Sequence, residues 1–246
     1  MMKNTILISL ILMLFVPLHQ AQTLKNCSVC ATKLIKPEQI NGLSLDEIRI
    51  LTNEIYARNG YEFENGRFQE YFESKPWYSN KKNNKSISLN AIEKQNTTLL
   101  QARTKTMKAE RELIISQLKS FKALVLADKT NELKTQFNFT YDPQDGKENS
   151  KLLKEVFSKI NLDDIHYYKN KGLHSVKVDN GFVQILYEVS LEDQSVNLYY
   201  NYMTHSKIIE GFDEFSDYHS ENEFMCNWQF ELKNKRLEFI RLAIAG

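Results

Sequence analysis

What the chain lacks narrows it first. It carries no second Cys-x-x-Cys, no glycine-rich phosphate loop and no Gly-x-Ser-x-Gly elbow, so common signatures of structural zinc, nucleotide and serine-hydrolase sites are missing. It has no excess of one charge: 32 basic residues face 31 acidic ones, interspersed along the chain. Without a basic stripe or field, nucleic acid is not an expected partner. Beyond the N-terminus no apolar run approaches the ~20 residues of a membrane helix. No motif for a cofactor is present.

The histidines supply no metal or catalytic set either. Asp164 lies near His166, and Asp217 near His219, but neither pair has two histidines at i and i+4 with a glutamate between them. The acidic stretch EGFDEFSDYHSENE (residues 210–223) lacks the Asp/Asn alternation, glycine and terminal glutamate of a calcium loop.

What is present begins with an export signal over residues 1–21. Lys3 is a small basic n-region, ILISLILMLFV (Ile6–Val16) an apolar core, Pro17 its end and Ala21 the natural cleavage position. The apolar run is too short to span a bilayer, which implies a cleaved signal and a secreted or periplasmic product. Leu24 and Asn26 fit a lipidation motif around Cys27 loosely, and Lys25 does not fit it. Losing Lys3 leaves 31 residues of each sign.

A polar lead-in over 22–43 holds Cys27-Ser-Val-Cys30, and Cys226 stands alone far downstream. In an oxidising compartment a local Cys27–Cys30 disulfide is the simplest reading; zinc shared with another chain or a distant histidine is the alternative. Cys226 falls on the apolar face of a predicted strand, where a thiol acts as a small hydrophobe.

Ser44 and Glu47 form a capping box that opens a helix, along which Leu45, Ile48, Leu51 and Ile55 recur at helical spacing. Gly60 follows where a left-handed C-cap suits a residue without a Cβ. Glu54 and Arg58 stand four apart in the favourable order, as expected of an exposed helix pair contributing only ~0.3–0.5 kcal/mol. A second short helix spans Gly66 to Ser74, with Phe68, Tyr71 and Phe72 on one face. A third opens at Asn90 with Glu93 as its capping partner.

Asn53-Glu54-Ile55-Tyr56-Ala57-Arg58-Asn59-Gly60-Tyr61, followed by Phe63, Tyr71-Phe72 and Trp77-Tyr78, resembles the YARHG domain of exported bacterial proteins. The likeness covers about residues 44–100, and we expect the domain over 44–105. Asn59 stands where that family has the histidine of Tyr-Ala-Arg-His-Gly. Asparagine cannot titrate, which argues for a capping or packing role at this position. The resemblance implies an extracytoplasmic module and transfers no chemistry. Aromatic rings stack on sugars and on protein side chains alike, so Tyr56, Arg58, Tyr61, Trp77 and Tyr78 are the candidate binding residues.

Downstream, a helical pattern is expected to break within Gln101–Glu110, which sets the domain boundary at 105/106. Residues 106–246 then read as one amphipathic helix, a loop, the helix KLLKEVFSKI, and strands of period two. Asp179-Asn180-Gly181 marks a hairpin in which both Asn180 and Gly181 accept positive φ. The fold class is α+β, with helices packed on a curved antiparallel sheet of about four strands. That order resembles the nuclear transport factor two-like cone fold.

The expected function is that of a non-enzymatic envelope binding module, taking a wall component, a small ligand or a partner protein. The rival is a hydrolase- or isomerase-like enzyme using a pocket in the C-terminal half, with His166 or Asp164 as its acid–base residue.

Overall fold

The computed structural model describes residues 22–81, 83–141, 146–181, 183–203 and 223–246. Residues 1–21, read above as an export signal, Asp217–His219 and nearly all of the acidic stretch lie outside them.

The first helix, α1 (Leu45–Arg58), starts where the capping chemistry puts it. Ser44 accepts from the Glu47 backbone N–H, and Glu47 returns the bond to the Ser44 N–H at 2.8 Å. Leu45, Ile48, Leu51 and Ile55 are buried, as their spacing requires. Gly60 takes φ +85°, and a Cβ there would meet Lys81 Cγ at 2.7 Å and the Ser79 carbonyl at 3.0 Å. Both the conformation and the space therefore call for glycine. Next comes α2 (Gly66–Glu73), capped by Asn65.

The third helix, α3 (Ala91–Leu126), is 36 residues long and continuous. The break expected within Gln101–Glu110 does not occur. That stretch is polar because it crosses between two buried clusters, not because the helix ends. The N-terminal half of α3 offers Leu100 and Met107 to a cluster with α1. The C-terminal half offers Ile114, Leu118, Phe121 and Val125 to a second cluster with the sheet. The single amphipathic helix expected beyond residue 106 is in fact two. Asp128, at φ 55°, turns the chain after Leu126 into α4 (Thr130–Phe137). Helix α5 (Gly146–Lys159) contains the KLLKEVFSKI pattern up to Lys159.

Among the described residues the sheet has six strands, two more than expected, in the order of the chain: β1 (His166–Tyr168), β2 (Lys171–Asp179), β3 (Gln184–Glu192), β4 (Ser195–Met203), β5 (Phe224–Lys233) and β6 (Arg236–Ala245). All neighbours pair antiparallel. The strand that the sequence pattern does not show is β1, which at three residues is too short to reveal a period. In the β2–β3 connection Gly181 has positive φ and Asn180 does not, so a longer turn replaces the expected two-residue one. Asn234 and Lys235 both take positive φ between β5 and β6. A bulge at Gln229/Phe230 interrupts the β5–β6 register, a device that bends a strand. Tyr187, Val189, Leu198, Trp228 and Phe230 line one face, filled from the other side by Phe121, Phe139 and Phe157.

Candidate functional site

The lead-in is part of the N-terminal core. Cys27 and Cys30 are joined by a disulfide and are buried in one cluster with Ile48, Leu51 and Ile55. Asn96 of α3, 1 % exposed, clamps this segment. Its side chain accepts from the Ile35 N–H and donates to the carbonyls of Cys30 and Lys33 at 2.8–2.9 Å.

Asn59 does the equivalent for the end of α1. Its amide donates to the Ile55 carbonyl at 2.9 Å and to the Glu93 carboxylate at 2.8 Å. The other oxygen of Glu93 caps α3 through the Asn90 N–H. One buried carboxylate thus ties the last turn of α1 to the first turn of α3. The neutral amide at Asn59 serves as a donor and cap.

Arg58 and Glu54 are not an exposed pair. Glu54's side chain is only 7 % exposed and Arg58's 28 %, and two guanidinium nitrogens reach one carboxylate oxygen at 2.6 and 2.9 Å. The same guanidinium lies 4.1 Å from the centre of the Trp77 ring. Arg58 therefore points into the aromatic cluster, where stacking and ion pairing act together.

The rings form a chain. Tyr56 meets Tyr61 at 5.8 Å, Tyr61 meets Phe63 at 5.0 Å, and Phe63 stacks on buried Phe72 at 5.1 Å, which also touches Trp77 and Tyr78. Tyr78 is held from behind: its hydroxyl donates to the Tyr61 carbonyl at 2.7 Å, and burial pushes its phenol up.

This chain of rings opens on one side as a cleft of about 490 Å³. Half-buried Tyr56, Tyr61, Phe63 and Phe68 supply apolar faces; Thr52, Asn53, Asn65, Gln101 and Thr104 supply amides and hydroxyls. Of the five expected binding residues, Tyr56 and Tyr61 line this cleft. Arg58 and Trp77 pack together beside it, and Tyr78 braces its wall. Sequence reasoning missed its polar side. Arg49, Thr52, Asn53 and Tyr56 follow helical spacing on the α1 face beside the buried stripe, a readable signal; Gln101 and Thr104 come from α3, more than forty residues away, and give none.

His166 and Asp164 stand on the surface, 83 % and 54 % exposed, with Nε2 and Oδ1 2.9 Å apart. His166 opens β1. Cys226 is buried and its thiol is pushed up by burial, which keeps it in the unreactive form. Among the described residues no three His, Cys, Asp or Glu side chains are grouped to hold a metal ion, and no helix is long and apolar enough to cross a membrane.

Residues 27–105 match the YARHG domain family. The match starts well before the helices and takes in the disulfide segment, in keeping with the shared core. YARHG domains typically occur in extracellular and periplasmic proteins. No curated protein and no solved structure matches the chain. The likeness of the C-terminal half to the cone fold therefore rests on element order alone.

Proposed function

We propose that the chain is exported and acts in the cell envelope as a non-enzymatic binding protein, and that its YARHG cleft takes up a polysaccharide segment of the wall. One observation carries this reading. Tyr56, Tyr61, Asn53, Gln101 and Thr104 converge on one cleft, and among the described residues none of their hydroxyls or side-chain amides has a protein partner. A sugar ring presents apolar C–H faces and a rim of hydroxyls that both donate and accept. Half-buried rings match the faces, and free amides and phenols match the rim. The disulfide fits an oxidising compartment, and the signal over residues 1–21 supplies the route there. We further propose that residues 106–246, joined to the binding domain through the continuous helix α3, serve as a second α+β unit.

Cosedimentation of the mature protein with insoluble cell-wall polysaccharide tests the reading. The protein should pellet with it, and Tyr61→Ala should return it to the supernatant while the fold, by circular dichroism, is kept. Wild-type protein that stays in solution at all wall concentrations contradicts it.

A further inference from the structure

A second cleft, of about 300 Å³, lies where α3 passes the β1–β2 and β3–β4 turns. It is remote in character from the aromatic groove. Two arginines, Arg103 and Arg111, and two acids, Glu110 and Asp193, line it. Among the described residues none of the four makes an ion pair. Charges of both signs sharing a small space normally pair with one another.

Arg111 is fixed in place. Its guanidinium stacks 4.0 Å from the centre of the Tyr167 ring and donates to the Lys169 carbonyl at 2.9 Å, leaving further donors free. Arg103 Nε, a buried donor, and Asn170 Oδ1, a buried acceptor, both lack a protein partner. Buried polar atoms are nearly always satisfied, so a donor and an acceptor left open at one cleft define what would complete them. The complement carries an acceptor for the guanidinium groups and a donor for Asn170 and the two carboxylates.

We propose that this cleft is a binding site for a small zwitterion, an α-amino acid or short peptide with free ammonium and carboxylate ends. The carboxylate meets Arg103 and Arg111; the ammonium meets Asn170 Oδ1 and Glu110 or Asp193. The site is independent of the polysaccharide groove.

Calorimetric titration with alanyl-alanine tests it on the wild-type protein, with the N-acetylated and C-amidated dipeptides as probes lacking one charge each. The unblocked dipeptide should bind saturably with Kd of about 1 mM or tighter. Each blocked form should bind about tenfold more weakly or worse, because it leaves charged protein groups without a counterpart. Arg103→Gln should abolish the heat, and Arg103→Lys, which keeps the charge but loses the Nε donor, should weaken binding. No saturable heat from alanyl-alanine, or equal binding of the blocked and unblocked forms, overturns the proposal.

Discussion

Arg58 is held by a nearly buried carboxylate on one side and an indole on the other, so its removal leaves Glu54 charged and unpaired. Arg58→Ala should cost about 1–3 kcal/mol in urea unfolding, several times what an exposed pair contributes, and should alter Trp77 emission. Arg58→Lys should recover only part, since an ammonium can neither stack as a plane nor offer two nitrogens to one oxygen. Asn59 permits a sharper test of its role. Asn59→Ala removes two hydrogen bonds and should cost about 1–2 kcal/mol. Asn59→His, which restores the family residue and a ring N–H donor, should cost less than alanine, with no new activity and no metal affinity. A histidine variant as unstable as the alanine one would remove the Glu93 link from the explanation. The cysteines divide cleanly. Alkylation of denatured, unreduced protein should label Cys226 alone, and labelling of all three contradicts the disulfide.

At the scale of elements, helix α5 meets the sheet through phenols. Tyr187 donates to Glu155, and burial followed by that carboxylate pushes its phenol well up; burial, with Glu155 adding, pushes Tyr200 up to about 12. Unfolded phenols ionise near 10 while the folded ones keep their protons, so unfolding releases protons only above that point. Stability should be indifferent to these groups below pH ~10 and fall as pH climbs toward ~12. Urea midpoints measured at increasing alkaline pH should show that decline, and Tyr200→Phe should flatten it. A Tyr200→Phe protein with an unchanged alkaline slope would locate the sensitivity elsewhere.

Which elements were legible follows from where their determinants lie. Both capping boxes, Ser44/Glu47 and Asn90/Glu93, were readable because each partner is three residues from the other. The continuity of α3 was not, because a polar helix between two cores looks like a linker. The turn at Asp128 uses left-handed backbone on a residue that does not announce it. In the candidate site the aromatic landmarks were readable, whereas Gln101 and Thr104 reach the cleft only through the packing of α3 on α1. In sequence Arg58 reads as half of an exposed pair, because the position of Trp77 beside it is a tertiary fact.

At the scale of the molecule, one helix serves two cores. Gln117 fastens its C-terminal half to the β5–β6 turn, donating to the Lys235 carbonyl at 2.8 Å and accepting from the Leu237 N–H at 2.7 Å. Asn96 and Glu93 fasten its N-terminal half to the disulfide segment and to α1. Ala109, exposed between the two, is a position where proline would interrupt the ladder without touching either core. Ala109→Pro should cost about 3 kcal/mol and split a single calorimetric transition into two. A lowered but still single transition would mean that the halves are coupled by more than the helix.

The proposed uptake of sugar by the YARHG cleft is open to a nuclear magnetic resonance titration of the mature protein with β-1,4-linked N-acetylglucosamine oligomers. Saturable shifts should centre on Tyr56, Tyr61, Phe63, Phe68, Gln101 and Thr104, and be lost in Tyr61→Ala. A spectrum unmoved by the oligomers, or one whose shifts fall away from that cleft, would contradict it.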